Sequence, residues 1–436
     1  MRNFLQKLSE LTLRRELLIV CILSLLGLTL RIGLIVLADE PIDRDALEYY
    51  SIAENILENH SFTIDGIIPT VRRAPGYPLF LALSMAIVGQ NPTSLYIIHA
   101  IVNILTIWFV YLSLKIFKAE PLYRISATIL FMVSTSFVYV NVFYAEIVTM
   151  FFVSLLLYIS VIQELNNKKT VRAIFQGIII GILILLRPTF LYLPIFIVMA
   201  AVFYRICFHN INCKEYIIVS VIALCMLLPW SIRNRVVFHQ WIPLVSAGGS
   251  ELWQANLEIE DRVVWYSVTD IDKYEDQRAQ SAQLQSRLRS EYIKRFNLSS
   301  SIELNNYLKQ RTKEIILSHP FRYALLCLNR ILIFWFSPPI GATTLKSISP
   351  ILFWIVLIFK YSMTILVIIG LRKLSKHHFE QFCLIILLVV YLTLLHSAVH
   401  AIQRYFLPLV PIAYFALAYS LNVFSEKYKI LTANDR

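Results

Sequence analysis

Residues 17–37 read LLIVCILSLLGLTLRIGLIVL, and residues 39–49 read DEPIDRDALEY. The first stretch is long enough to cross a bilayer, which takes about 20 mostly apolar residues. The second places Asp39, Glu40, Asp43, Asp45 and Glu48 directly behind it. Carboxylates at a membrane surface repel anionic headgroups, so a cluster at a helix exit calls for a purpose. The apolar run is long and uninterrupted, and no small-residue cleavage site follows it. It therefore reads as a retained signal-anchor helix rather than a secretory leader.

The rest of the chain continues the pattern. Hydrophobic residues make up 58% of the 436, and the mean hydropathy is +0.65. A soluble globular chain has about 45–50% apolar residues. Further spans are expected at 93–117, 125–143, 146–165, 171–186, 189–207, 215–230, 349–371, 379–398 and 406–424. With 16–37 these predict an all-α polytopic membrane protein, a bundle of about ten transmembrane helices within a range of roughly nine to twelve. Segments 78–88 and 321–336 read as interfacial helices on the outer face; Arg322, Asn329 and Arg330 interrupt the second.

With the N-terminus inside, the inner segments carry eighteen Lys and Arg and the short outer ones five: Arg44, Arg72, Arg73, Arg187 and Arg404. That bias follows the positive-inside rule and puts both termini in the cytoplasm. The net charge of +12 then reflects topology and anionic lipid rather than nucleic acid. The six cysteines form no disulfide or zinc framework. Three regions follow: an N-terminal membrane module 1–230 with a first outer loop at 38–77, an outer region 231–346, and C-terminal spans 347–436.

Chemistry-bearing residues gather on the outer side. Asp43-Arg44-Asp45 has DxD spacing, and a carboxylate there suits a general base on an acceptor hydroxyl. Nucleotide sugars are cytosolic, so a donor on this side has to be lipid-linked. Glu146, at the start of a span, suits either a helix N-terminus or a second catalytic carboxylate. Arg73 lies in the stiff turn Arg72-Arg73-Ala74-Pro75-Gly76-Tyr77-Pro78. Arg187, Arg233 and Arg404 stand where separate helices leave the membrane, a convergence suited to a phosphate. Arg31 is placed to reach an outer phosphate or Asp39. Lys360, near the middle of a span, needs a carboxylate, carbonyls or water. Tyr49, Tyr77, Trp253, Trp265, Asn256 and Tyr405 are candidates for sugar or acceptor contacts. His396 and His400 share a helix face without amounting to a metal site. No metal ligand set is assigned; no cofactor is required, and a divalent metal stays open.

These pieces together resemble the GT-C superfamily of membrane glycosyltransferases, in particular the protein O-mannosyltransferase and lipid A aminoarabinose transferase group. The likeness rests on Asp45-Ala46-Leu47-Glu48-Tyr49, Arg73-Ala74-Pro75-Gly76-Tyr77-Pro78, Arg187-Pro188 and Pro229-Trp230-Ser231-Ile232-Arg233-Asn234. Leu252-Trp253-Gln254-Ala255-Asn256, Ser318-His319-Pro320 and Arg404-Tyr405 extend it. The resemblance implies a GT-C-like bundle and a polyprenyl-phosphate sugar donor. It also implies inverting transfer to a lipid, glycan or protein acceptor at the outer face of a prokaryotic plasma membrane, with Asp45 as the acid/base residue and Glu146 as a second acid. Ala255-Asn256 departs from the family's Gly-x-Asn. Two other classes use similar residues: a polyprenyl-linked glycan transporter, and an oligosaccharide polymerase or ligase.

Overall fold

The structure, a computed structural model, describes residues 12–37, 44–208, 213–246, 248–259, 283–284, 286–295, 301–338 and 342–434. Asp39, Glu40, Asp43 and Trp265 lie outside these residues. Among the described residues the secondary structure is helical, with one isolated bridge between Thr63 and Pro69. The α-helices are α1 (Leu13–Leu37), α2 (Arg44–Asn59), α3 (Gly76–Val88), α4 (Pro92–Ile116), α5 (Pro121–Met132) and α6 (Glu146–Val161). Then come α7 (Gln163–Asn167), α8 (Lys169–Leu186), α9 (Leu193–Phe208), α10 (Cys213–Phe238) and α11 (Gly248–Asn256). The chain closes with α12 (Ser301–Ser318), α13 (Pro320–Phe336), α14 (Ala342–Ile348), α15 (Pro350–His377), α16 (Phe379–Ala398) and α17 (Val410–Asn434).

Among the described residues eight segments are long and apolar enough to span a membrane, and the shorter apolar helices Gly76–Val88 and Glu146–Val161 accompany them. The expected spans at 16–37, 93–117, 171–186 and 379–398 appear with nearly those limits. The expected span 125–143 does not form one helix: α5 stops at Met132 and a 3₁₀ segment covers Thr135–Asn141. The expected span 146–165 ends at Val161. In contrast, α10 runs to Phe238 through Pro229, past the expected end at 230.

Local chemistry sets several helix starts. Asn91 caps α4 by accepting from the Thr93 amide at 2.8 Å, with Pro92 in the first turn. Ser349-Pro350 opens α15 in the same way, Ser349 Oγ accepting from the Leu352 amide at 3.3 Å. A short polar side chain followed by proline satisfies an orphan amide and presets φ. The core joins α4, α6, α8, α16 and α17, while α15 is the least covered span, 17% buried. Such one-sided apolar exposure is what a lipid-facing helix requires. Helix α13 crosses the end of α16: Tyr323 donates to the Ala398 carbonyl at 3.0 Å, and Arg330, two turns on, reaches the same oxygen at 3.1 Å.

Candidate functional site

Four connections that end or begin helices meet at the end of the bundle where α1 finishes. They are the first turn of α2, the loop before α3, the junction at Arg187 after α8, and the 3₁₀ segment Gln403–Leu409 before α17. The N-terminus of α6 joins them. Their charged side chains form one chain of alternating sign. Arg72 pairs with Glu48 at 3.1 Å, Glu48 with Arg73 at 2.6 Å, and Arg73 with Asp45 at 2.6 Å. Asp45 then pairs with Arg404 at 3.2 Å, Arg404 with Glu146 at 3.7 Å, and Glu146 with Arg187 at 3.3 Å.

Each link has a local cause. Asp45 and Glu48 are three apart on α2 and so share a face. Arg73 forks between them, Nη2 to Asp45 and Nε to Glu48, a geometry that the planar guanidinium favours. Glu146 is the first residue of α6 and 4% exposed, so the helix N-terminus supports its charge. Arg187 is held at the α8 terminus by the hydrogen bond that its backbone N–H donates to the Leu183 carbonyl at 2.9 Å. Gly76 makes this closeness possible, because a Cβ there would lie 2.8 Å from the Leu185 carbonyl carbon.

Tyrosines frame the cations. Arg73 lies over Tyr49 at 5.0 Å, Arg404 over Tyr144 at 4.5 Å, and Tyr405 has Arg187 at 5.6 Å and Arg404 at 5.8 Å. Tyr405 is stacked on His396 at 4.7 Å. Tyr49 meets Tyr77 edge-on at 4.9 Å. Burial alone would raise the Asp45 carboxyl, but the Arg73 and Arg404 guanidiniums prevail and hold it below the usual carboxylate value. Glu251, on α11, behaves oppositely. Surrounding protein raises its carboxyl, and the negative charge of Asp45 adds to this.

Of the residues singled out in the sequence, the structure brings together Asp45, Glu146, Arg73, Arg187, Arg404, Tyr49 and Tyr405, while Tyr77, expected at the sugar or acceptor, is fully buried between Tyr49 and His99. It places others elsewhere. Arg233 donates to the Thr70 carbonyl at 3.0 Å and lies against Phe62, Trp230 and Phe238, so it ties α10 to the first loop instead of joining the phosphate-binding group expected for it. Arg31 is fully buried and donates to Asn103 Oδ1 at 2.7 and 3.0 Å and to the Gly27 and Met132 carbonyls at 3.0 and 3.2 Å. It joins α1 to α4 and caps α5 rather than facing a lipid phosphate. Trp253 is buried in a separate cluster under the outer region, with no face open to a sugar. Asn256 is fully buried too, and its Oδ1 accepts twice from Arg330 at 3.3 Å. Lys360 donates to the Ser337 carbonyl, which answers its need for a carbonyl partner. Asp43 lies outside the described residues.

Sequence reasoning gave no role to Glu48, Glu251, His99 or Arg330. Glu48 had a usable signal, its i,i+3 spacing from Asp45. His99 had one as well, as an ionisable residue inside an apolar span. Glu251 and Arg330 depend on how the outer region folds back, which no local pattern encodes.

A divalent cation fits the described surroundings of Asp45 poorly, since both of its oxygens face guanidiniums. Among the described residues no group of three His, Cys, Asp or Glu is gathered for a metal. His396 instead turns Nδ1 to the His400 carbonyl at 2.9 Å.

Comparison with known proteins agrees with this architecture. The signature of the family described as dolichyl-phosphate-mannose-protein mannosyltransferase matches residues 72–232. No curated protein matches the sequence. Among solved structures, the fold is similar to the archaeal oligosaccharyltransferase AglB from Archaeoglobus fulgidus in complex with an inhibitory peptide and a dolichol-phosphate. That likeness has a TM-score of 0.54 at 13% identity, over 96% of this chain and 51% of that one. The apo form of the same enzyme gives 0.53 at 15% identity, over 96% and 52%. ArnT from Cupriavidus metallidurans bound to undecaprenyl phosphate gives 0.39 at 10% identity, over 94% and 76%, too loose a superposition to add to the fold assignment. The chain spans about half the length of the oligosaccharyltransferase it matches. The resemblance to GT-C membrane glycosyltransferases therefore holds in sequence over residues 72–232 and in the fold. Asp45 and Arg404 lie outside the matched segment and join it only in space.

Proposed function

We propose that the protein transfers a sugar from a polyprenyl-phosphate donor to an acceptor hydroxyl at the outer face of a prokaryotic plasma membrane, with inversion. The observation that carries this reading is the junction at Arg404, where Asp45 and the Glu146–Arg187 pair share one guanidinium. A general base and an anion site thereby stand side by side. Buried Arg187 Nη1 and Arg404 Nε have no hydrogen-bond acceptor among the described residues. Both point toward Glu146 at ion-pair range only, and so have donor capacity for a phosphate oxygen.

In the step, the acceptor oxygen attacks the anomeric carbon as the bond from that carbon to the phosphate oxygen breaks. The bonding pair leaves with the phosphate, giving polyprenyl phosphate, and the hydroxyl proton passes to Asp45 and then to water. Arg187 and Arg404 oppose the charge that grows on the leaving group. Asp45 is a weak base because arginines hold it ionised. It therefore accepts the proton only as the hydroxyl becomes acidic through bond formation. Glu146 keeps both arginines oriented. Tyr49 and Tyr405 offer aromatic faces for sugar or acceptor.

The test uses protein in lipid nanodiscs with polyprenyl-phosphate sugars and a panel of hydroxyl acceptors, following release of polyprenyl phosphate. Turnover by the wild type that is lost in Asp45→Asn supports the reading. Donor binding without turnover, unchanged by Asp45→Asn, overturns it in favour of transport.

A further inference from the structure

Behind the arginine–carboxylate chain lies a buried column that the transfer step does not use. His99, on α4, is fully buried. Its Nδ1 faces the Val140 carbonyl at 3.2 Å and its Nε2 faces the Tyr77 hydroxyl at 3.1 Å. A carbonyl can only accept, so Nδ1 carries the proton. In the neutral ring Nε2 is then the acceptor, and the Tyr77 hydroxyl donates to it. Phe80, Tyr96 and Phe143 enclose the imidazole at 6.0, 6.5 and 6.0 Å. Tyr77, fully buried as well, meets Tyr49 in a T-shaped contact, and Tyr49 carries the Arg73 guanidinium over its ring.

We propose that His99 and Tyr77 are positioning residues for Asp45: they fix the Tyr49 ring on which Arg73 rests, and Arg73 in turn fixes the carboxylate. Three observations support a positioning role over simple satisfaction of buried polar groups. Tyr77 lies four residues after Arg73, so anchoring its hydroxyl also anchors the turn that carries the guanidinium. The turn is pressed against the α8 terminus at Gly76, which leaves it little alternative path. And the column ends on the oxygen of Asp45 opposite to the one held by Arg404. Displacing Arg73 would therefore leave Asp45 with one partner of two.

The consequence is measurable without turnover. The inference rests on the glycosyl-transfer reading only for what Asp45 does, not for where it sits. The charged groups facing Asp45 are Arg73, Arg404 and, at longer range, Glu251 and the Tyr49 hydroxyl. Weakening the Arg73 contact while the others stay moves the Asp45 titration upward, toward the ordinary carboxylate value. Water-soluble carbodiimide reacts with the protonated carboxyl, so Asp45 labelling in nanodiscs from pH 3 to 7, read by peptide mass spectrometry, follows this titration. Tyr77→Phe keeps the ring and removes only the donor. His99→Phe removes the acceptor. His99→Gln keeps one donor and one acceptor. The expected result is an upward shift of about half a pH unit, roughly threefold in proton affinity, in Tyr77→Phe and His99→Phe, with return toward wild type in His99→Gln. An unchanged profile in Tyr77→Phe, or a shift in His99→Phe alone, overturns the proposal. In the turnover assay the same two variants lower kcat with donor KM unchanged. Failure there with the labelling shift intact would count against the transfer chemistry and not against the column.

Discussion

Arg404 shows how much one side chain can decide. Its Nη2 meets Asp45 and its Nε meets Glu146, so one planar group joins two carboxylates from different helices. Lysine offers a single point charge and cannot hold both. Arg404→Lys should therefore lower turnover about 10- to 100-fold by the usual cost of losing an electrostatic stabiliser, while a thermal melt of the variant stays near wild type. Asp45→Asn should lose about a thousandfold or more in polyprenyl phosphate release, since the amide can neither take the proton nor balance two arginines.

The pH dependence follows from the same pairs. Asp45 is held below its ordinary value of about 3.9. The stabilisation from its ion pairs is therefore present above that value and disappears only as the pH falls through the lower, folded one. Asp45 should add no acid limb to the rate between pH 5 and 8; a rate profile with an inflection there that disappears in Asp45→Asn would contradict this. Much of this was legible one residue at a time. Asp45, Glu146, Arg187 and Arg404 stand at helix exits, where charge next to apolar sequence is visible. Arg31 and Arg233 share that signature and yet serve as ties, because their partners are Asn103 and backbone carbonyls distant in sequence. A basic residue near a membrane looks alike in sequence whether it holds a ligand or a neighbouring helix.

At the scale of elements, close approach of helices depends on glycine. A Cβ at Gly370 on α15 would lie 2.1 Å from the Ala416 carbonyl oxygen on α17, a backbone atom that cannot step aside. At Gly181 on α8 the obstacle is the Met226 side chain, its sulfur at 2.6 Å and its Cβ at 2.9 Å, with no backbone atom among the three nearest. Gly370→Ala should accordingly lower the melting temperature more than Gly181→Ala. Overpacking costs about 1–3 kcal/mol, with Gly370→Ala at the upper end; equal melts would refute the assignment of backbone contact. Helix order was readable from apolar runs, and eight of the ten expected spans are long and apolar enough to cross a membrane among the described residues. The break in 125–143 was not, because hydropathy averages across Ser134, Thr135 and Ser136. What ends α5 is partly remote, since Arg31 of α1 takes the Met132 carbonyl.

For the whole molecule, the two ends differ in kind. The far end holds compact ties: Glu16 with Arg124 at 2.6 Å and Arg172 with Glu215 at 3.0 Å. The near end holds the extended chain of alternating charges. The proposed topology puts the near end outside, in line with the positive-inside count of the sequence. Ile67 at the near end is 82% exposed, and Lys376 lies exposed at the other end of α15. In a variant lacking the six native cysteines, Ile67→Cys should react with an impermeant thiol reagent on intact cells, and Lys376→Cys only after lysis. The reverse pattern would invert the topology.

The alternation has a last consequence. Arg72, Arg73, Arg187 and Arg404 alternate with Glu48, Asp45 and Glu146, so six of these seven charges cancel in pairs and one positive charge is left over. Opposite neighbours a few ångströms apart largely cancel, and the field of the one charge left over is screened over a Debye length of about 8 Å. An anionic lipid a few nanometres off feels no pull from them. On the proposed reading, a polyprenyl-phosphate donor reaches this site by two-dimensional diffusion in its own leaflet, and its phosphate binds only on contact, by taking a carboxylate's place at an arginine. Capture on that reading is an exchange between anions, and the exchange leaves Asp45, the proposed base, one contact away.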